Sequence, residues 1–181
     1  MSTSTPPSAV ANASTKTWRI GHGYDIHRLD AVAPAGQGRP MVLGGLLLPC
    51  DRGPVAHSDG DAVLHAITDA LLGAMAQPDL GTLFPDNDPA HAGQTSRVFL
   101  AEAVRRMRAA SLSVGNVDVT VVCEFPKLSP HREVMRESIA NLLGCPATAV
   151  NIKGKTHERV DAIGEGRAIE VHVVALLRPV G

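Results

Sequence analysis

Aromatic residues are scarce: one Trp, one Tyr and three Phe in 181 positions. That excludes a stacking platform for unpaired bases as the basis of function, and it leaves the core to Val, Leu, Ile and Ala. Cysteine is also rare and odd in number. Cys50, Cys123 and Cys145 are far apart with no CxxC pair, so neither a disulfide framework nor a cysteine zinc site is suggested. No charge of one sign dominates, with 17 Lys+Arg against 18 Asp+Glu and a net charge of −1. Nucleic acid and anionic membrane are therefore not expected partners. No apolar run approaches the roughly 20 residues that span a bilayer. What is present is 44% hydrophobic residues, enough for one sizeable core. The chain reads as a soluble protein of a reducing compartment.

Residues 1–17 are mostly Ser, Thr, Ala and Pro with a single Lys16, a composition too poor in apolar surface to offset its ordering entropy, and a disordered tail is expected. The tail has neither the apolar segment of a secretory signal nor the arginines of a transit peptide. The cytoplasm is the expected location, with plastid-type organelle import the lesser alternative. Residues 18–181 read as one domain. Strands are expected over 18–29 and 41–48, the second broken by Gly44-Gly45. Helices follow over 61–76 and 96–110, then a β-branched strand over 116–124. For the first helix Ser58 is the expected N-cap, with Asp61 three residues on. A third helix carries Ser129 at its N-cap, Pro130 at N1 and Gly144 just past its end. Strands over 149–153 and 167–177 complete an α+β fold: a sheet of about four main strands covered on one face by three helices, with a small hairpin.

Asp25 and His27 are two apart on the first strand, so their side chains share a face. The first helix offers His65 on a polar line Asp61–His65–Asp69. Two histidines and one carboxylate with an open position make a catalytic zinc set. Taken singly, each has another reading: a hydrogen-bonded or solvated Asp-x-His pair, and a hydrogen-bonded helix histidine. Asp69, one turn from His65, either orients its ring or is a solvated carboxylate.

The segments R-I-G-H-G-Y-D-I-H (19–27), A-H-S-D-G-D-A-V-L-H-A-I-T-D-A-L-L-G (56–73) and P-D-L-G-T-L-F-P-D-N-D-P (78–89) settle the weighting. With G-N-V-D-V-T (115–120), P-K-L-S-P-H (126–131) and N-I-K-G-K-T-H-E (151–158), they closely resemble the 2-C-methyl-D-erythritol 2,4-cyclodiphosphate synthase family, in order and over everything after residue 17. The resemblance implies a phosphorus–oxygen lyase of the non-mevalonate isoprenoid pathway. Such an enzyme converts 4-diphosphocytidyl-2-C-methylerythritol 2-phosphate to the cyclodiphosphate plus cytidine monophosphate. It implies Asp25, His27 and His65 as zinc ligands and Glu158 as the holder of a second divalent ion, magnesium or manganese. His57 and Ser58 match a loop over the substrate, and Ser58 with Asp86 matches the pair that positions the methylerythritol part. Asp79 and Gly81 match sugar contacts. Phe125, Pro126, Lys127 and Leu128, with Gly154, Lys155 and Thr156, match the cytidine and phosphate pocket, where Lys155, Thr156 and Glu158 are the catalytic positions. On spacing alone, Lys127 and Lys155 are equally ordinary surface lysines, and Gly81 and Asp86 turn residues. A homotrimer with sites between subunits is implied as well.

The match departs after Glu158. The family's usual aromatic is Ala162 here, and Glu165 stands where an arginine is usual, with Arg167 two residues later. In relatives these positions line an apolar cavity on the trimer axis that can hold an isoprenoid diphosphate. A carboxylate in place of a guanidinium is expected to repel that ligand.

Overall fold

The computed structural model describes residues 17–85 and 93–180. The expected disordered tail up to residue 16, and Asp86, lie outside the described residues. The elements are β1 (Arg19–Ala31), β2 (Val42–Leu43), β3 (Leu46–Leu47), β4 (Arg52–Pro54), α1 (Ala62–Ala74), α2 (Leu80–Leu83), α3 (Ser96–Ala109), β5 (Leu112–Val122), α4 (Arg132–Leu143), β6 (Val150–Lys155), α5 (Asp161–Gly164) and β7 (Ala168–Pro179).

One five-stranded sheet has the order β4-β1-β7-β5-β6, and β2 and β3 form the small hairpin. Four of the five are the expected main strands; the short β4 is an addition at the edge. All neighbours are antiparallel except β5 and β6, which run parallel and are joined through α4, the crossover that a parallel pair requires.

Period-two alternation decides which face meets the helices. On β7 the buried side chains that face the helices are Ile169, Val171, Val173, Ala175 and Leu177. On β5 the helix-facing set is Leu112 and Val114, then Val117, Val119 and Val121. The switch from even to odd numbers coincides with a register shift between Val114 and Asn116, because one extra residue returns the following side chains to the core face. Val150 and Ile152 of β6 complete this layer, and Leu100, Val104, Met107, Met135 and Ile139 of α3 and α4 meet it.

The corresponding positions of β1 are Gly21 and Gly23, which is what brings α1 close. A Cβ on Gly23 would sit 1.8 Å from the Ala66 carbonyl oxygen, and one on Gly21 would sit 1.9 Å from that of Ala70. The helix lies on the strand backbone to backbone. Continuing along the same face of β1, the next two side chains are Asp25 and His27, and the residue preceding Ala66 on the helix is His65. The close approach therefore delivers His65 to the other two.

Two expected helix starts are corrected. The N-cap of α1 is Asp61, not Ser58: its Oδ1 accepts from Val63 N–H at 3.1 Å and Leu64 N–H at 3.0 Å. The same carboxylate accepts from Gly44 N–H at 2.9 Å and Gly45 N–H at 2.6 Å, which ties the hairpin turn to the helix. Asp61 is thus wholly buried and does not belong to a polar line. All of α1 is buried except Asp69 and Gly73, so the helix has no solvent face of its own. Helix α4 starts at Arg132 with His131 in the N-cap position, not at Pro130 behind Ser129, and no side chain caps it. Its other end is as expected, with Gly144 at φ 69°, a left-handed position that glycine takes without strain.

Candidate active site

Asp25 Oδ2 lies 3.0 Å from His27 Nδ1 and 3.0 Å from His65 Nδ1. Each of the three residues offers one ligand atom, and these atoms lie within 4.8 Å of one another. His27 Nδ1 is buried and has no hydrogen-bond partner. A buried nitrogen without a partner is costly; facing a carboxylate oxygen and a second imidazole, it is placed where a cation could complete it. Zinc takes such donors at about 2.0–2.2 Å, so neighbouring ligands sit roughly 3.4 Å apart, and the three residues fit that ion with small adjustment. Burial alone would raise the Asp25 pKa, but the two imidazoles of His27 and His65 at 3.0 Å hold the carboxyl far below its ordinary value. For His65, burial works toward the neutral ring and is outweighed by Asp25, with Asp61 and Asp59, so its pKa is raised. The expected partnership of Asp69 with His65 is not made; Asp69 Oδ1 accepts from Leu80 N–H at 2.7 Å and so seats α2 on α1.

Of the expected substrate residues, Ser58 reaches this cluster, its Oγ 3.4 Å from His65 Nε2. His57 is exposed, and its carbonyl accepts from Gly93 N–H at 2.8 Å. Ser58 is turned inward: it is 8% exposed, and its Oγ accepts from Gly60 N–H at 3.1 Å. Asp79 caps α2 by accepting from Thr82 N–H at 2.8 Å, and Gly81 sits in the same short helix with open space around it.

The other expected residues converge elsewhere. A pocket of 340 Å³ is lined by Pro126, Lys127, Leu128, Gly154, Lys155, Thr156 and Glu158 among others. Phe125 is not part of this lining, and its ring is 57% exposed. Lys127, Lys155 and Arg132 set three cations against Glu124 and Glu158, a balance suited to a diphosphate. Arg132, Ser129, Glu124 and Cys123 are lining residues that the sequence reading did not assign. Ser129 was concealed by being read as a helix cap, and Arg132 by lying inside the helix that follows it. Burial, with Cys50 and Glu124 nearby, pushes the Cys123 thiol up to about 12, so it is a neutral wall and not a nucleophile.

Glu158 is held in an unusual backbone. Its φ is 51°, followed by 65° at Arg159 and 63° at Asp161, each a left-handed position that costs a non-glycine residue roughly 1–3 kcal/mol. Thr156 Oγ1 donates to Glu158 Oε1 at 2.9 Å and accepts from Glu158 N–H at 3.4 Å. The turn is fixed at the rim of the pocket. Beyond it, Glu165 and Arg167 pair with each other at 2.6 Å, and Ala162 packs beside Val122, Ile163 and Ala168.

Fold and site together define an α+β domain that presents a carboxylate–histidine cluster able to hold a metal ion at one place on its sheet and a cation-lined pocket at another. The chain belongs to the YgbB family, whose model matches residues 18–178. It is 48% identical over 172 residues to the chloroplastic 2-C-methyl-D-erythritol 2,4-cyclodiphosphate synthase of Arabidopsis thaliana, covering 94% of this chain and 72% of that one. To the synthase of Escherichia coli O127:H6 it is 50% identical over 159 residues, covering 88% and 96%. Among solved structures, IspF of Plasmodium falciparum in a CDP complex superposes with a TM-score of 0.80 at 36% identity, over 92% of this chain and 99% of that one. Among the described residues, no helix is long and apolar enough to cross a membrane.

Proposed function

We propose that residues 18–181 form one catalytic domain that acts as a 2-C-methyl-D-erythritol 2,4-cyclodiphosphate synthase of the non-mevalonate isoprenoid pathway. The observation that carries this reading is the convergence of Asp25, His27 and His65, from a strand and a helix, on one point with an unpartnered buried nitrogen. Family membership and the names of the relatives supply the substrate. Asp25, His27 and His65 are assigned to zinc, and Glu158 to a second divalent ion, magnesium or manganese. Dications bound there supply charge neutralisation and Lewis acidity toward phosphate oxygens.

The reaction is attack of one anion on another. An oxygen of the 2-phosphate bonds to the β-phosphorus as the bond from that phosphorus to the bridging oxygen breaks. The electron pair leaves with cytidine monophosphate, and no water is consumed. Because the nucleophile is already a phosphate anion, no serine, cysteine or general base is required, and positioning with electrostatic clamping carries the catalysis. The Lys155 ammonium and the Thr156 hydroxyl donate to the phosphates at the pocket rim. Pro126, Lys127, Leu128 and Gly154 form the wall for the cytidine diphosphate part, with Phe125 at its edge. His57, Ser58, Asp79, Gly81 and Asp86 belong to the methylerythritol side.

Spacing across the sheet supports a site shared by two chains. Asp25 pairs with Val171, Val171 with Val121, and Val121 with Gly154, which is three strand spacings, or about 14 Å. Two ions gripping one phosphoryl group stand roughly 4 Å apart. Within one chain the cluster and the pocket are too far apart for that. We therefore assign the cluster of one subunit to the pocket of its neighbour in a homotrimer. The sheet face away from the helices, with Ile20, Tyr24, Ile26 and Val174 exposed, is the surface available for it. The Glu165–Arg167 pair and Ala162 support the reading that the axial cavity takes no isoprenoid diphosphate, tested by titration with geranyl diphosphate. Three free thiols suit the cytoplasm, while relatives include both bacterial and chloroplastic proteins.

The test is incubation of the zinc- and magnesium-loaded protein with the diphosphocytidyl substrate in oxygen-18 water, followed by phosphorus NMR. Cyclic diphosphate and cytidine monophosphate without the label are expected. Labelled linear products would mark a phosphohydrolase instead.

A further inference from the structure

One buried polar chain runs from the metal cluster to groups that the proposed reaction does not use, Ser96 and Asp59. His65 is 7% exposed and directs Nδ1 to Asp25. Its other nitrogen, Nε2, lies 2.8 Å from Ser96 Oγ, with Ser58 Oγ more distant at 3.4 Å. Ser96 opens α3 and has no exposure at all. Its hydroxyl is also hydrogen-bonded to Asp59 Oδ1, and its N–H donates to Asp59 Oδ2 at 3.1 Å. Asp59 is tied in turn, its N–H donating to the Gln94 carbonyl at 3.0 Å and its Oδ1 accepting from Asp61 N–H at 3.3 Å.

The direction of each hydrogen bond follows from counting protons. A hydroxyl has one to give, and an ionised carboxylate has none. Ser96 therefore donates to Asp59, and its oxygen is left to accept from His65. Nε2 must be a donor, and in the neutral ring that a metal requires this leaves the lone pair on Nδ1, the atom facing Asp25 and His27. In the opposite tautomer an N–H would point into the cluster. The order Ser96–His65–Asp25 also has the layout of a nucleophilic triad. Complete burial of Ser96, and commitment of its proton to Asp59, remove it from that role.

We infer that Ser96, anchored by Asp59, is a positioning residue that holds the His65 ring in the Nε2–H tautomer, so that Nδ1 is presented as a metal ligand. The inference rests on the zinc reading of the cluster. It makes the first turn of α3 a second support of the metal centre, beside α1. It also links that centre to the segment carrying His57 and Ser58, which the same hydrogen bonds stitch to residues 93–96.

The test measures zinc dissociation constants by chelator competition on the full chain, with circular dichroism of each variant. Ser96→Ala is expected to weaken zinc binding by about tenfold and Asp59→Asn by threefold or more, whereas Ser96→Thr, which keeps the hydroxyl, stays within about threefold of wild type. In the zinc-loaded wild type, nitrogen NMR is expected to show His65 protonated at Nε2, a reading that needs no variant to fold. Zinc bound as tightly by Ser96→Ala and Asp59→Asn as by wild type, or His65 protonated at Nδ1, overturns the inference while leaving the zinc site standing. Failure of the wild type to bind zinc overturns both.

Discussion

His65 and Glu158 separate two duties that a single activity assay would merge. His65 supplies one of three ligand atoms to the half-buried cluster, whereas Glu158 stands in a left-handed turn at the rim of the pocket. His65→Ala is expected to weaken zinc more than about 100-fold, since even outer hydrogen-bond partners of a ligand are worth about 10–100-fold. Turnover should disappear with the metal. Glu158→Gln is expected to keep one zinc per chain and to lose roughly 100-fold or more in kcat, the scale of one lost electrostatic contact to a reacting phosphate. Metal analysis beside steady-state kinetics checks both. A Glu158→Gln protein turning over at the wild-type rate across a magnesium titration would remove the second-ion role.

At the scale of elements, the contact between α1 and β1 is the feature on which the cluster depends. Gly23→Ala places a methyl group within 1.8 Å of a helix carbonyl. Neither backbone can yield locally, so a cost above the usual 1–3 kcal/mol for overpacking is expected, roughly 3 kcal/mol or more. Gly81 offers the contrast, with nothing within 4 Å of an added Cβ. Gly81→Ala should leave thermal stability within about 0.5 kcal/mol of wild type. A rise in KM there would mark the sugar contact directly. The strand and helix pattern was legible from period and punctuation, as were Asp25 and His27 on one strand face. Asp61 was not, because its four N–H partners come from its own helix and from a hairpin turn 16 or 17 residues earlier; local spacing offered Ser58 as an equally good cap. Ser96 was missed for a similar reason. It lies 31 residues from His65, and a serine opening a helix reads as a cap. Arg132 looked like ordinary helix sequence until the fold placed it beside Lys155.

At the scale of the whole molecule, the account turns on the metal cluster of one chain serving the nucleotide pocket of another. The roughly 14 Å that separates them across the sheet of a single chain has a consequence for mixed assemblies. His65→Ala chains keep the pocket and Glu158→Gln chains keep the cluster. In randomly mixed oligomers, a site is complete wherever the second kind of chain supplies the metal to the first. The most direct measurement is the turnover of such a mixture, made by refolding equal amounts of the two inactive variants together. Sites shared between subunits are expected to restore about one quarter of the wild-type rate per chain. A mixture as inactive as its two parents would contradict the account, because it would mean that each site is built from one chain alone.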